Sequence, residues 1–179
     1  MKRIITLILL LTVILSTVSC SDYADKPSYR DIEYKENGLR LVLRNDMQRY
    51  EVEGYDFYFT NFIGTVILSA VKLDEEFLRE NGIKTDITAG EYVDYLIEKN
   101  GFEKDKIYYE HDEDLGKYSF KYVFSDVEAA SEIFYYVTVL GDAGNVWYVE
   151  MTCRNEDSEF YLSSFDSWRN DLKAYTTES

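Results

Sequence analysis

The single histidine of the chain lies in an acidic run, Glu110-His111-Asp112-Glu113-Asp114. Carboxylates and an imidazole near a strand end can bind Ca²⁺ or a transition metal, so His111, Asp112 and Asp114 are weak candidates for metal ligands. The run lacks the alternating ligands and the central glycine of a calcium loop, which favours a solvated turn between two strands. We therefore expect no metal and no other cofactor.

Catalysis by a nucleophile has little support in the sequence. A nucleophile needs an adjacent base and an orienting group. Cys153, His111 and Asp112 have the required residue types, and this is the only indication of such a set. The strand pattern around Cys153 places its thiol among apolar residues, which predicts a buried group. The 34 acidic residues single out no carboxylate pair for glycoside hydrolysis. We predict a protein without catalytic activity, and the alternative is a protein that binds or processes a small ligand or a carbohydrate.

Tyrosine is abundant, with 17 copies among 179 residues. Four of them, Tyr58, Tyr108, Tyr136 and Tyr148, fall on predicted strands. Each lies on the strand face opposite to that of an adjacent residue that is assigned to an apolar face. If exposed, they would form an aromatic platform for a protein or sugar, because tyrosine is enriched at interfaces. Coverage of both sheet faces by helices, which is the favoured arrangement, would instead make them core residues. The candidate binding residues are Tyr58, Tyr108 and Tyr148.

The first residues of the chain predict export. Lys2 and Arg3 precede the almost wholly apolar run from Ile4 to Leu15, and small residues follow it. A run of this length fits the central region of a signal peptide, roughly 7 to 15 residues, better than the about 20 residues that cross a bilayer. An uncleaved anchor helix is the alternative.

The end of this leader, Thr17-Val18-Ser19-Cys20, resembles the lipobox of bacterial lipoproteins. The resemblance implies cleavage before Cys20, a lipid on its sulfur, and an extracytoplasmic protein tethered to a membrane. Thr17 stands where the lipobox prefers leucine, so cleavage by an ordinary signal peptidase is the alternative. In that case Cys20 could form a disulfide with Cys153, because disulfides persist in exported proteins.

Length and charge define the domain organisation and exclude one class of partner. Residues 1–19 form the predicted signal peptide, residues 20–29 a polar tether with the only proline, and residues 30–179 a single domain. The formal net charge of −15 repels phosphate backbones, so we exclude nucleic acid as a partner. We expect a scaffolding or binding role toward another protein of the cell envelope.

Local signals predict the first half of the domain. Asn37-Gly38 predicts a tight hairpin between strands at 31–36 and 39–43. Two more strands are predicted at 55–60 and 63–72. Asp74 is positioned to cap a short helix that ends near Gly82, and Thr88 with Glu91 forms a capping box for a longer helix that ends at Asn100.

The second half predicts four strands and a closing helix. The strands lie at 106–110, 117–125, 131–140 and 145–153, and the third is apolar throughout, which suggests the centre of the sheet. The helix is predicted from 157 to 175 by one apolar seam, formed by Tyr161, Phe165, Trp168, Leu172 and Tyr175. Strands followed by covering helices indicate an α+β fold with an antiparallel sheet.

This order of elements resembles the PsbP-like family. The resemblance rests on the hairpin from Asn37 to Leu43, the helix from Thr88 to Asn100, the strands from Lys117 to Cys153 and the helix from Phe165 to Leu172. It implies an α-β-α sandwich, a fold found in small bacterial lipoproteins and in an extrinsic subunit of photosystem II. No family role can be transferred to single residues. A cystatin-like or nuclear-transport-factor-like sheet is the alternative, although its longest helix would precede the strands.

Overall fold

The structure is a computed structural model that describes residues 29–102, 107–112, 116–126, 131–142 and 144–176. The predicted leader, Cys20 and nearly all of the tether lie outside these residues. The described strands are β1 Asp31–Glu36, β2 Leu39–Arg44, β3 Met47–Arg49, β4 Phe57–Asn61, β5 Val66–Lys72, β6 Tyr108–Asp112, β7 Lys117–Asp126, β8 Ser131–Leu140, β9 Trp147–Arg154 and β10 Lys173–Ala174. The helices are α1 Glu75–Glu80, α2 Ala89–Lys99 and α3 Ser158–Asp171, and a 3₁₀ turn at Asn155–Asp157 precedes α3.

The predicted hairpin between β1 and β2 is confirmed. Asn37 and Gly38 both have positive φ, 54° and 93°, as a two-residue hairpin turn of this type requires. The hairpin does not join the main sheet. It forms a separate three-stranded sheet in the order β1-β2-β10, in which the last strand of the chain pairs antiparallel with β2.

The main sheet has seven antiparallel strands in the order β3-β4-β5-β9-β8-β7-β6. Its central strand is therefore β9, and the prediction that 131–140 is central was wrong by one position. The strand predicted from residue 63 begins at Val66, because the Asn61 side chain accepts hydrogen bonds from the backbone N–H groups of Thr65 and Val66. These two bonds close a turn that leaves Ile63 76% exposed.

The predicted N-terminal caps of α1 and α2 are confirmed. The Asp74 carboxylate caps α1 by accepting from the N–H of Phe77 at 2.8 Å, and both bonds of the Thr88–Glu91 capping box are present at the start of α2. The end of α3 differs from the prediction. The helix stops at Asp171 and the chain becomes extended at Leu172, so that β10 can pair with β2.

The α+β fold is confirmed, with a packed layer on each side of the main sheet. We call these sides the α3 face and the α2 face. On the α3 face, sheet residues such as Phe59, Leu68 and Met151 pack against β2 and against the α3 residues Tyr161, Phe165 and Trp168. On the α2 face, Phe120, Val137 and Val139 pack against Leu78 of α1 and against Tyr92, Val93 and Ile97 of α2.

Among the described residues, no helix has both the length and the apolar character needed to cross a bilayer.

Candidate functional site

One carboxylate lies near the middle of the main sheet. Glu150 is on the central strand β9, is half-buried, and points to the α2 face beside Tyr148. The Tyr148 hydroxyl donates a hydrogen bond of 2.5 Å to Oε2 of Glu150. Burial raises the pKa of the Glu150 carboxyl, although the bond from Tyr148 acts in the opposite direction. Burial, followed by the neighbouring carboxylate, also raises the pKa of Tyr148.

A cavity of about 350 Å³ opens above this carboxylate, and we call it the Glu150 groove. One loop, two helices and two strands contribute to its walls. The lining side chains include Tyr55, Ser69, Val71, Phe77, Tyr92 and Tyr148. Tyr55 comes from the loop before β4, Phe77 from α1 and Tyr92 from α2, while the remaining residues belong to β5 and β9. Four aromatic side chains therefore line the groove together with a single carboxyl group.

Strand register and one helix position these groups. Side chains two apart on a strand share a face, so β9 presents Tyr148 and Glu150 together. Antiparallel pairing places Ser69 opposite Glu150 and Val71 opposite Tyr148. The capped α2 helix holds the Tyr92 ring edge-on to Tyr148, with ring centroids 6.4 Å apart. Burial raises the pKa of Tyr92 to about 12, so its hydroxyl stays neutral at ordinary pH.

Two further tyrosines extend the aromatic surface toward β7. Tyr122 and Tyr135 lie on neighbouring strands of the same face and stack with ring centroids 4.7 Å apart. Burial raises the pKa of both hydroxyls, and the charge of Glu150 contributes in the same direction. Glu150 thus lies within electrostatic range of tyrosines on three adjacent strands.

The groove combines a carboxyl group with electron-rich rings. Among the described residues, no Lys, Arg or His forms an ion pair with Glu150, and its pKa is shifted only by burial and by Tyr148. The faces of tyrosine rings attract cations, and a carboxylate supplies the compensating charge. This arrangement is suited to hold a cationic group.

The predicted binding tyrosines have different positions in the structure. Tyr148 lies in the groove, and Tyr58 lies on the same face, half-buried, with its ring 5.6 Å from that of Tyr55. Tyr136 is fully buried on the α3 face and donates a hydrogen bond to the Asp166 carboxylate at 2.9 Å. Tyr108 belongs to β6, but its side chain lies outside the described part of the chain.

The candidate metal residues do not form a described cluster. His111 and Asp112 are neighbours on β6 and so point to opposite faces, and the His111 ring stacks on Tyr118 at 4.1 Å. Asp114 lies outside the described residues. In the ranges that the structure describes, no three His, Cys, Asp or Glu side chains come together to hold a metal ion.

The Cys153, His111 and Asp112 combination is not assembled. Cys153 lies on β9 and faces α3, whereas His111 lies on β6 and faces α2. Three strand spacings separate β9 from β6, or roughly 14 Å. Burial raises the pKa of the Cys153 thiol to about 11, which disfavours the reactive thiolate.

Glu150 was missed by sequence reasoning. The alternation of β9 assigns it to the face opposite Trp147, Val149 and Met151, but a polar residue on that side is also compatible with solvent exposure. The available signal was the neighbouring Tyr148 on the same face, together with the apolar residues on both faces of the paired strand β5. A lone carboxylate among such residues indicates a half-buried charge.

No protein-family model matches the sequence, and no curated protein matches it either. Solved structures do match. The solution structure of cyanobacterial PsbP (CyanoP) from Synechocystis sp. PCC 6803 aligns over 89% of this chain and 99% of that chain, with a TM-score of 0.52 and 14% identity. The fold is PsbP-like.

A second structure supports the PsbP-like fold. The crystal structure of LpqN, which is involved in cell envelope biogenesis of Mycobacterium tuberculosis, aligns over 83% of this chain and 92% of that chain. The TM-score is 0.51 and the identity is 8%. At such identities the likeness shows the fold alone. The fold expected from the order of elements is therefore confirmed.

Proposed function

We propose that this protein is a non-catalytic binding module of the cell envelope, tethered to a membrane by a lipid on Cys20. In this proposal the Glu150 groove receives a cationic side chain, Lys or Arg, from a partner protein. The observation that carries the proposal is the half-buried Glu150 carboxyl beneath aromatic rings, with no cationic partner among the described residues.

The chemistry of the groove favours a cationic ligand over neutral or anionic ones. Ring faces of Tyr92 and Tyr148 carry negative electrostatic potential, and a cation placed against them gains about 0.5 to 2 kcal/mol depending on its desolvation. The cavity of about 350 Å³ has room for one long side chain. The net charge of −15 would also accelerate the approach of a basic segment.

The envelope location rests on the leader and on its lipobox-like end. The shared fold with LpqN, a protein described as involved in cell envelope biogenesis, agrees with that location. Cys20 would carry the lipid, and the polar residues after it would separate the domain from the membrane.

Site-specific crosslinking in intact cells tests the partner. A photoreactive phenylalanine analogue replaces Tyr55, which is 44% exposed at the rim of the groove. The same analogue at Tyr50, which is 48% exposed and outside the groove, is the matched control. We expect a reproducible protein crosslink from position 55 that maps near a Lys or Arg and disappears in a Glu150→Gln background. Equal crosslinking at both positions, or crosslinking from position 55 that is unchanged in the Glu150→Gln background, would reject the groove as the binding site.

A small-probe titration tests the ligand class directly. Nα-acetyl-lysine methylamide is added to the purified mature protein, and the neutral analogue Nα-acetyl-norleucine methylamide is the control. We expect the lysine probe to perturb tyrosine signals of the groove, and its binding to strengthen as pH rises through the raised pKa of Glu150. Glu150→Gln should weaken this binding by roughly tenfold, the scale of one charge-assisted contact.

The alternative is a carbohydrate-binding protein. Tyrosine rings can also stack on sugars, and the paired Tyr122 and Tyr135 rings are the observation in its favour. If uncharged cell-wall sugars perturb these two rings while the lysine probe does not bind, the carbohydrate alternative replaces the cationic one.

A further inference from the structure

The exposed large apolar side chains are concentrated at one end of the molecule. The described residues expose ten of them, and only Tyr50, Val52 and Tyr55 lie elsewhere. The other seven are Tyr29, Ile32, Phe62, Ile63, Val123, Phe124 and Phe160, and we call this region the apolar end. Phe62, Ile63 and Phe160 are the most exposed of all, at 67%, 76% and 74%.

Strand pairing brings the first part of the apolar end together. The N–H of Asn45 donates to the carbonyl of Arg30, so the start of β1 lies beside the turn after β2. That turn leads into β3, whose first residue Met47 pairs with Asn61 at the end of β4. The turn with Phe62 and Ile63 follows directly.

The other residues of the apolar end lie at the same ends of the main-sheet strands, where β4 and β9 finish and β5 and β8 begin. The Thr65 hydroxyl lies 3.1 Å from the hydroxyl of Tyr161, and the Tyr161 ring contacts Phe160 at the start of α3. In the next strands along, Phe124 pairs with Ile133, and Ile133 pairs with Arg154 at the end of β9. Four separate chain segments therefore expose apolar side chains at one end.

The predicted tether leaves the domain at this end. Tyr29 is the first described residue, and the Arg44 guanidinium lies 4.3 Å above its ring. The nine residue steps from Cys20 to Tyr29 span at most roughly 30 Å when fully extended. A lipid on Cys20 would keep the apolar end within that distance of the bilayer.

We propose that the apolar end docks on the lipid bilayer, with Phe62, Ile63 and Phe160 inserted into its interfacial region. The inference rests on the lipid anchor of the proposed function and adds a second, protein-mediated contact. Aromatic and branched aliphatic side chains are those that gain from transfer into this region. Two nearby charge pairs, Arg44–Asp46 at 2.6 Å and Arg154–Glu156 at 3.3 Å, are internally compensated.

Docking in this orientation directs the groove away from the membrane. β5 runs from Val66, beside the apolar end, to Lys72, beside the groove residues Val71 and Leu73. The loop with Gly54 and Tyr55 forms the groove wall at that distal end. A partner protein would therefore approach from the side opposite the bilayer.

Tryptophan quenching by brominated lipid tests the contact in the full mature protein. The protein is reconstituted in phosphatidylcholine vesicles with brominated acyl chains, as Ile63→Trp, as Phe160→Trp and as the control Tyr50→Trp. The native Trp147 and Trp168 are 0% and 4% exposed, so they give the same background in every variant. We expect Trp at 63 and at 160 to shift to shorter wavelength and to lose at least about half of its emission, whereas Trp at 50 keeps its emission.

Equal emission at positions 63 and 50 in brominated vesicles would overturn the inference. Because all three sites are exposed, the variants should keep the thermal unfolding midpoint of the parent protein, which verifies that the comparison concerns folded molecules. Intact mass of the same samples separates the two proposals. A lipid-bearing protein without quenching at 63 rejects docking alone, whereas a protein that lacks the lipid rejects the anchor.

Discussion

At the scale of single residues, Glu150 is a group whose burial opposes its charge. Its carboxyl has a raised pKa in the folded protein because it is half-buried, and among the described residues only the Tyr148 hydroxyl donates a hydrogen bond to it. A carboxyl whose pKa is higher in the folded than in the unfolded state stabilises the folded protein when it is protonated. Its contribution to stability is therefore full at low pH and is lost as pH rises from the unfolded pKa through the folded one. Such a cost is typical of binding sites.

Glu150→Gln should accordingly be more stable than the parent protein at pH 7.5, and the difference should vanish toward pH 4. The amide keeps the shape and an acceptor for Tyr148 but removes the titrating charge. Urea unfolding of both proteins at the two pH values measures the effect. Glu98→Gln, an exposed site on α2, is the control and should differ from the parent by less than about 0.5 kcal/mol at either pH.

Sequence reasoning reached part of this site. Strand alternation was sufficient to place Tyr148 with the groove face and Cys153 with the opposite one, since it depends only on local geometry. The burial of Glu150 depends on where α2 docks and on the register between β5 and β9. Both are set by contacts between residues that are distant in sequence, such as Ser69 and Glu150, for which a single sequence carries no direct signal.

At the scale of secondary-structure elements, the end of α3 is defined by another part of the chain. The Lys117 ammonium, 1% exposed on β7, donates to the carbonyls of Arg169 at 2.8 Å and Asn170 at 2.9 Å. A helix leaves its last carbonyls without helical partners, and a cation there also interacts favourably with the helix dipole. This contact satisfies carbonyls in the last turn of α3, which ends at Asp171 and not at the predicted residue 175.

Lys117→Met should destabilise the protein by about 1 to 3 kcal/mol. The substitution keeps the aliphatic bulk but removes the ammonium donor from the Arg169 and Asn170 carbonyls, of which the former keeps a 3.3 Å bond from the N–H of Leu172. Lys173→Met, at an exposed neighbouring position, should cost less than about 0.5 kcal/mol. The difference in urea midpoint between the variants measures the cap, and similar midpoints would contradict it.

The loop between β8 and β9 depends on a glycine. Gly141 has φ of 107°, and a Cβ atom at this position would lie 2.1 Å from the carbonyl oxygen of Asn145. Gly141→Ala should therefore cost more than about 2 kcal/mol, because backbone must move in addition to the strain of positive φ. Gly54→Ala is the control, since Gly54 has φ of 88° but open space around it. Equal thermal shifts in the two variants would show that the contact is unimportant.

Elements with a local signal were predicted, and those without one were missed. Asn37-Gly38, Asp74 and the Thr88–Glu91 pair each determine a turn or a cap through neighbouring backbone groups. β3 and β10 contain three and two residues, too few for an alternating pattern, and they exist because distant strands offer a pairing edge. The central position of β9 depends on the same long-range pairing.

At the scale of the whole molecule, the reactivity of the Cys153 thiol tests global unfolding and the proposed lipid anchor. Its thiol is 3% exposed, and burial raises its pKa to about 11. The native mature protein should give no reaction with a thiol reagent, and one equivalent should react in concentrated urea, because only the thiolate is nucleophilic. Two equivalents in urea would indicate that Cys20 is present without a thioether lipid.

The small sheet joins the beginning and the end of the domain. Leu39 of β2 pairs with Ala174 of β10, and the packing of β2 on the main sheet also involves α3. A polypeptide emerges from the ribosome with its N-terminus first. β2 is therefore synthesised before α3 and β10, the elements that complete its docking site. The hairpin is therefore expected to complete its packing only after α3 and β10 have been synthesised, so two of the earliest strands of the domain become ordered late.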